Sequence, residues 1–257
     1  VLLEVKGGVA VISLNRPDKH NVVGDAADAL FFRYLDLLRT DRDVRAVVWR
    51  GNGPSFSVGR DLGELGTNGH HPGAGEFELL ERGAWGTRLL YDFPVPIVCA
   101  LKGWALGTVF ERALLCDIRI ACVSSNMALP AVYHGVIPDS AGLAKLYEIG
   151  GSSLALDLAL TGRRIDAAEA LRLGIVSQVV PDDDLDEVAL DLAHSIAERS
   201  ALVIGLLRDN VQALAAGPVQ DILGRELVGQ AMVLASQDYR EHRLAKAEDR
   251  EPRYERR

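Results

Sequence analysis

Short apolar runs alternate with stretches of helical spacing over the first two thirds of the chain. Leu2-Leu3-Glu4-Val5-Lys6 and Val9-Ala10-Val11-Ile12-Ser13-Leu14 flank Gly7-Gly8, which predicts a β-hairpin. Val44 to Trp49, Val95 to Leu101, Ile118 to Val123 and Val176 to Val180 read as further strands. Asp25 to Leu38 places Ala26, Leu30, Phe31, Tyr34, Leu35 and Leu38 at helical spacing. Helices are also predicted over Glu76 to Tyr91, Gly107 to Cys116, Ala141 to Ile149, Ser152 to Leu160 and Ala167 to Leu173. Met127 to Gly142 holds two Pro and two Gly and reads as irregular. From Asp182 onward the pattern is helical throughout: Asp183 to Ser200, Leu202 to Ala215, Pro218 to Leu234 and Gln237 to Lys246. The charged tail Glu248 to Arg257 is expected to fray.

Repeated strand–helix–strand units predict an α/β fold with a mostly parallel core sheet and right-handed crossovers. A chain of 257 residues supports one large core domain, expected over 1–200, and a helical region over 201–257. Net charge is -8, with no basic stripe carrying interleaved aromatics, which argues against a nucleic-acid partner. No apolar run approaches the roughly 18 residues of a membrane span. Cys99, Cys116 and Cys122 sit in apolar contexts and read as free thiols of a reducing compartment. The first ten residues lack the pattern of a signal peptide, so the expected location is cytoplasmic. His70 and His71 lie in a Gly-rich segment, Gly66 to Gly75, that reads as a mobile loop, and no further ligand stands at useful spacing. No metal site is expected.

The chemistry concentrates in Val95 to Ala121. A buried strand, a turn at Lys102-Gly103 and a helix opened by Gly107 follow one another. The first N–H groups of such a helix lack intrahelical partners and carry partial positive charge, which suits a developing oxyanion. Glu111 lies three residues beyond Thr108, on the same face one turn in. Two readings of that spacing stand open. Glu111 is a general acid or base beside an oxyanion donor, or Thr108-x-x-Glu111 is a capping box.

Five stretches in order resemble the crotonase superfamily, the enoyl-CoA hydratase/isomerase family. They are Leu14 to Asn21, Ser55-Phe56-Ser57-Val58-Gly59-Arg60-Asp61-Leu62, Trp104 to Ala121, Leu129-Pro130 through Gly142, and Leu160 through Pro181. The resemblance implies a spiral of ββα units with C-terminal helical trimerisation elements, assembling as a homotrimer or a hexamer built as a dimer of trimers. It implies a coenzyme A thioester as substrate and no separate cofactor. It places the thioester oxygen between the backbone N–H groups of Arg60, after Gly59, and Thr108, after Gly107. Glu111 falls on one of the two catalytic glutamates of the hydratases. Lys19 and His20 resemble the segment along the CoA, and Asp61 and Leu62 are further candidate substrate contacts. Tyr133 and His134 either reach the pocket or pack under the loop, and Lys246 and Arg250 are either phosphate partners or solvated terminal charges.

The sequence departs from the family pattern at three places. Gly107-Thr108-Val109 is bulkier than three consecutive glycines. Ala131 stands where the second hydratase glutamate falls. Asp139 replaces a common Gly, as in the dienoyl-CoA isomerases and chlorobenzoyl-CoA dehalogenases, and becomes a second catalytic candidate, with a helix cap as its alternative role. The leading expectation is hydration of a 2-enoyl-CoA. An enoyl or dienoyl double-bond isomerase using Glu111 and Asp139, and a non-catalytic acyl-CoA binding protein, are the alternatives.

Overall fold

The computed structural model describes residues 1–64 and 74–252. Strands β1 (Leu2–Lys6) and β2 (Val9–Leu14) form the expected antiparallel hairpin across Gly7-Gly8. Helix α1 (Asp25–Leu38) then crosses to β3 (Ala46–Gly51), which pairs parallel with β2. Helix α2 (Ala74–Tyr91) leads to β4 (Ile97–Leu101), parallel to β3. The chain turns into β5 (Trp104–Leu106) and α3 (Gly107–Leu114), and returns as β6 (Ile118–Cys122), parallel to β4. Strand β7 (Asn126–Ala128), a 3-10 turn over Pro130–His134 and α4 (Gly142–Thr161) follow. Strand β8 (Ile165–Asp166), α5 (Ala167–Arg172) and β9 (Gln178–Val180) close the strand-bearing part. Helices α6 (Leu185–Ala197), α7 (Ala201–Ala235) and α8 (Gln237–Ala247) complete the fold.

Among the described residues the main sheet runs β1-β2-β3-β4-β6-β9, and a smaller sheet runs β5-β7-β8. The order of the main sheet follows the chain, with each turn of the path leaving it to add to the smaller sheet or a helix layer. The apolar core lies between the main sheet and α1, α2, α3 and α4, and a second cluster packs the other face under α6. Strands β3 and β4 are buried on both faces, as expected of parallel strands covered on two sides.

The sequence pattern misses the smaller sheet. Its strands have three, three and two residues, too short for a periodicity to register. They matter to the site, because β5 delivers the chain directly into α3. The two helices expected around Gly150-Gly151 are present as α4 with non-helical backbone at those two residues. The break expected between Ala215 and Pro218 is absent, and α7 is continuous. Tertiary contacts on both sides override the local penalty. Before the junction, Arg208 bonds Asp117 at 2.7 Å and the Phe93 carbonyl at 2.7 Å, and Gln212 bonds the Tyr91 carbonyl at 3.1 Å. Beyond it, Leu223 and Glu226 are buried. The C-terminal helices thus pack back on the core, α7 lying against α2 and α4. No described helix is long and apolar enough to cross a membrane. His70 and His71 lie outside the described residues, as do most of the Gly66 to Gly75 segment and the end of the charged tail.

Candidate active site

A cavity of about 490 Å³ opens between α1, α2, α3 and the 130–140 segment. Of the residues proposed from sequence, Gly59, Arg60, Leu62, Gly107, Thr108, Glu111, His134 and Asp139 line it. Lys19, His20, Asp61 and Tyr133 do not. The His20 ring bonds the Ser55 hydroxyl at 2.9 Å, and Asp61 pairs with Arg16 and accepts from the Gly63 N–H. Both serve the loop scaffold. So does Asn21, whose amide bonds the Asn52 and Ser55 carbonyls at 2.8 and 2.7 Å. Lys19 ends a short 3-10 turn and is exposed. Tyr133 is 61% exposed and its hydroxyl donates to the Thr161 carbonyl, with its ring against Gly162. Arg250 is bound to Glu241 and Glu248 of its own terminus, each at 2.6 Å. Lys246 stands near His134, where its charge and burial both lower the histidine's proton affinity, burial the more.

The two loops that meet at the cavity wall are fixed by backbone geometry. Gly59 has φ +89, and a Cβ there would sit 2.9 Å from the Leu106 carbonyl oxygen. Only glycine permits that approach to the start of α3. The Gly59 N–H donates to Ser57 Oγ at 3.0 Å. The Gly59 carbonyl and the Asp61 N–H bond Val23, at 2.8 and 2.9 Å. Strand alternation then turns the Arg60 N–H away from Val23. Helix α3 begins at Gly107 with Leu106 as its N-cap residue and no side-chain cap bond. The first N–H groups of α3 therefore keep the open end that the sequence suggested, and the capping box is not formed.

Glu111 is 2% exposed and its carboxylate serves another helix. Its Oε2 accepts from the Ser140 N–H at 3.0 Å and the Gly142 N–H at 3.3 Å, at the N-terminus of α4. A Cβ on Gly142 would lie 2.5 Å from Glu111 Cγ, so the glycine makes room for the acid. Asp139 is not the cap of α4 either: the N-cap residue is Ala141, with φ 59 and no side-chain cap bond. Burial raises the Glu111 pKa to about 7, helped by the nearby Asp139 charge and opposed by the two N–H bonds and Arg112. Asp139 is also raised, by burial first, while Arg112 and Arg60 pull it down. Two carboxyls thus stand at the cavity with proton affinities brought toward neutrality, the condition for general acid–base work.

Sequence reasoning missed two features. One is an ion network that ties both loops to α1. Arg112 grips Asp28 with two prongs, at 2.6 and 3.2 Å, and its guanidinium lies 4.9 Å over the Phe32 ring. Arg60 bonds Asp25 and reaches Asp28 at 3.4 Å. The Arg60 side chain is therefore an internal anchor. The other is Glu226 of α7, which is 3% exposed and accepts from the Ala141 N–H at 2.9 Å. Neither had a local signal, because Asp28 and Arg112 are 84 positions apart and Ala141 and Glu226 are 85.

Comparison with known proteins assigns the chain and its fold to one class. The family model described as enoyl-CoA hydratase/isomerase matches residues 4–257, and this chain belongs to that family. A carnitinyl-CoA dehydratase of Salmonella typhimurium is 31% identical over 251 residues, covering 96% of this chain and 94% of its own. Among solved structures, an enoyl-CoA hydratase/isomerase from Pseudoalteromonas atlantica superposes with TM-score 0.90 at 28% identity, over 99% of both chains. An enoyl-CoA hydratase from Mycobacterium avium subsp. paratuberculosis gives 0.86 at 25% identity, over 99% of this chain and 98% of its own. The architecture is the crotonase-like α/β spiral that the resemblance implied, with the C-terminal helices present.

The ion network makes a testable demand. Replacing Asp28 by Ala leaves the 4%-exposed Arg112 side chain and its neighbour Arg60 without their shared carboxylate. The expected loss is about 3–5 kcal/mol of folding free energy, read as a lower urea midpoint. A midpoint within error of the wild type contradicts this account of how the loops are held.

Proposed function

We propose that this chain is an acyl-CoA hydro-lyase that adds water to a 2-enoyl-CoA, and removes it in reverse, with Glu111 as the acid–base. The observation that carries the reading is the placement of Glu111. It is buried at the cavity wall, fixed by two backbone N–H groups, one turn into a helix whose N-terminus is open.

The chemistry follows from these positions. The thioester oxygen sits between the N–H groups of Arg60 and Thr108. Ionised Glu111 takes a proton from water as the water oxygen bonds Cβ. The displaced electron pair moves through Cα to the thioester oxygen, giving an enolate held by the two donors, worth about 3 kcal/mol each. Glu111 then returns the proton to Cα as the enolate collapses to a β-hydroxyacyl-CoA. With Ala131 in place of a second glutamate, Asp139 orients the water. Leu62 and His134 contact the acyl–pantetheine chain. The CoA thioester is the substrate, and no separate cofactor takes part. The name of the Salmonella relative describes the dehydration direction of such a step, which supports the class of reaction.

A second reading rests on Asp139. Two carboxyls at one cavity, both with raised proton affinity, also suit proton transfer between α- and γ-carbons of an enoyl thioester. The apolar residues that α7 leaves exposed, including Leu206, Val211 and Leu214 at 87%, support a trimer or a dimer of trimers.

Hydration of crotonyl-CoA, followed by loss of the conjugated enoyl absorbance, tests the leading reading. In Glu111→Gln the rate should fall by about 10²–10⁴-fold while CoA-ester binding survives. Full activity in that variant excludes Glu111 as the acid–base. Glu111 must begin ionised in either direction, so wild-type activity should rise as pH increases through about 7. The double-bond shift of a 3-enoyl-CoA separates the second reading: selective loss of isomerisation in Asp139→Asn supports it, and a wild type with no isomerisation dismisses it. Tight binding without turnover of any enoyl, dienoyl or β-keto thioester instead favours a binding protein.

A further inference from the structure

Helix α7 holds the Asp139 segment at both ends. Gln230 accepts from the Ile137 N–H at 3.1 Å, and Glu226, one turn earlier on the same face, accepts from the Ala141 N–H at 2.9 Å. The side chain of Ile137 also packs over Gly229. Ala141 stands between the two N–H groups that bond Glu111. Two buried carboxyls, one from α3 and one from α7, therefore satisfy three successive N–H groups of a single turn. The second oxygen of Glu226, Oε1, is buried with no hydrogen-bond partner, which an ionised carboxylate does not tolerate.

We propose, resting on the reading of Glu111 as the acid–base, that Glu226 is a positioning residue of the same site: as the neutral acid it holds the turn under Glu111, and its charge is coupled to that of Glu111. The charged groups that face it are Glu111 of α3 and Asp139 of the turn, with Arg112 and Arg60 bearing on Asp139 from behind. Burial, then Glu111, then Asp139 raise the Glu226 pKa to about 9, against the single N–H bond from Ala141. Glu111, with two N–H bonds and Arg112 in its favour, stays lower at about 7. The order of ionisation is fixed in this way. Glu111 releases its proton first, beside a neutral Glu226. Ionisation of Glu226 then adds a further negative charge beside those of Glu111 and Asp139.

Carboxyl titration by infrared and side-chain ¹³C NMR, on the full chain between about pH 5 and pH 10, reads both groups without turnover. Glu226→Gln preserves the acceptor for the Ala141 N–H and removes the charge. It should delete the upper step and leave the Glu111 step in place. Glu111→Gln should lower the Glu226 midpoint, since the largest charge opposing its ionisation is gone. The wild-type alkaline fall in kcat/KM, tenfold per pH unit above about 9, should vanish in Glu226→Gln. Stability gives an independent sign. A carboxyl with a raised folded-state pKa stabilises the fold below the unfolded value of 4.5, and this is lost as pH rises toward about 9. The melting temperature should therefore drop over that window in the wild type and drop less in Glu226→Gln. An upper step that survives in Glu226→Gln, or a Glu226 midpoint unmoved by Glu111→Gln, overturns the proposal. If both titration shifts occur in a protein that hydrates no enoyl thioester, the coupling stands and the hydro-lyase reading falls.

Discussion

The N-terminus of α4 is buried in the protein without a capping side chain of its own, and much of the site follows from how its N–H groups are satisfied. Ser140, Ala141 and Gly142 point three donors inward, and Glu111 and Glu226 answer them from two other helices. A buried donor left alone costs about 1–3 kcal/mol, so these bonds are constraints on the fold as much as features of the chemistry. The same bonds oppose the desolvation of the acids without cancelling it. Glu111, with two donors and a nearby arginine, ends close to neutrality, while Glu226, with one donor and with Glu111 and Asp139 as acidic neighbours, ends above. One turn of backbone thus fixes both the location and the ranking of two proton sites.

A second constraint acts from the opposite side. The residues directly after Gly59 and Glu111 are arginines, and both turn back to the first turns of α1. Buried ion pairs are weak sources of stability, but they are strict about geometry because breaking one strands a charge. Here the geometry they hold is that of two loops whose backbones abut at Gly59 and Leu106. The short sheet of β5, β7 and β8 supports the same junction from below, through the bridge between Ser57 and Ala105.

What the sequence made legible was local. Apolar runs located β2, β3, β4 and β6 to within two residues at most ends, and Gly107 followed by Glu111 located the helix that carries the acid. The roles of polar residues around that helix were less legible, because they depend on partners far away in the chain. Thr108 and Glu111 have the spacing of a capping box, yet the carboxylate is drawn to α4, where two buried donors wait. Asp139 follows Pro138 as a cap does, yet the acids from α3 and α7 already occupy the donors. Tyr133 lies within the right segment, but the 3-10 turn carries it out to Thr161. Glu226 sits in a helix with no distinguishing pattern, and only the fold reveals that its face meets the turn.

Gly142 gives the site a direction of change. An added methyl group there would meet Cβ and Cγ of Glu111 at 2.8 and 2.5 Å, so the two positions compete for one volume. Substitution is consequently path-dependent. A descendant that first trades the glutamate for a smaller residue opens the space and can fill it from position 142 afterwards. A descendant that changes the glycine first displaces the acid while still depending on it. The acid–glycine pair behaves as a ratchet: glutamate chemistry can be abandoned and then packed over, and once packed over it is not regained by restoring the glutamate alone.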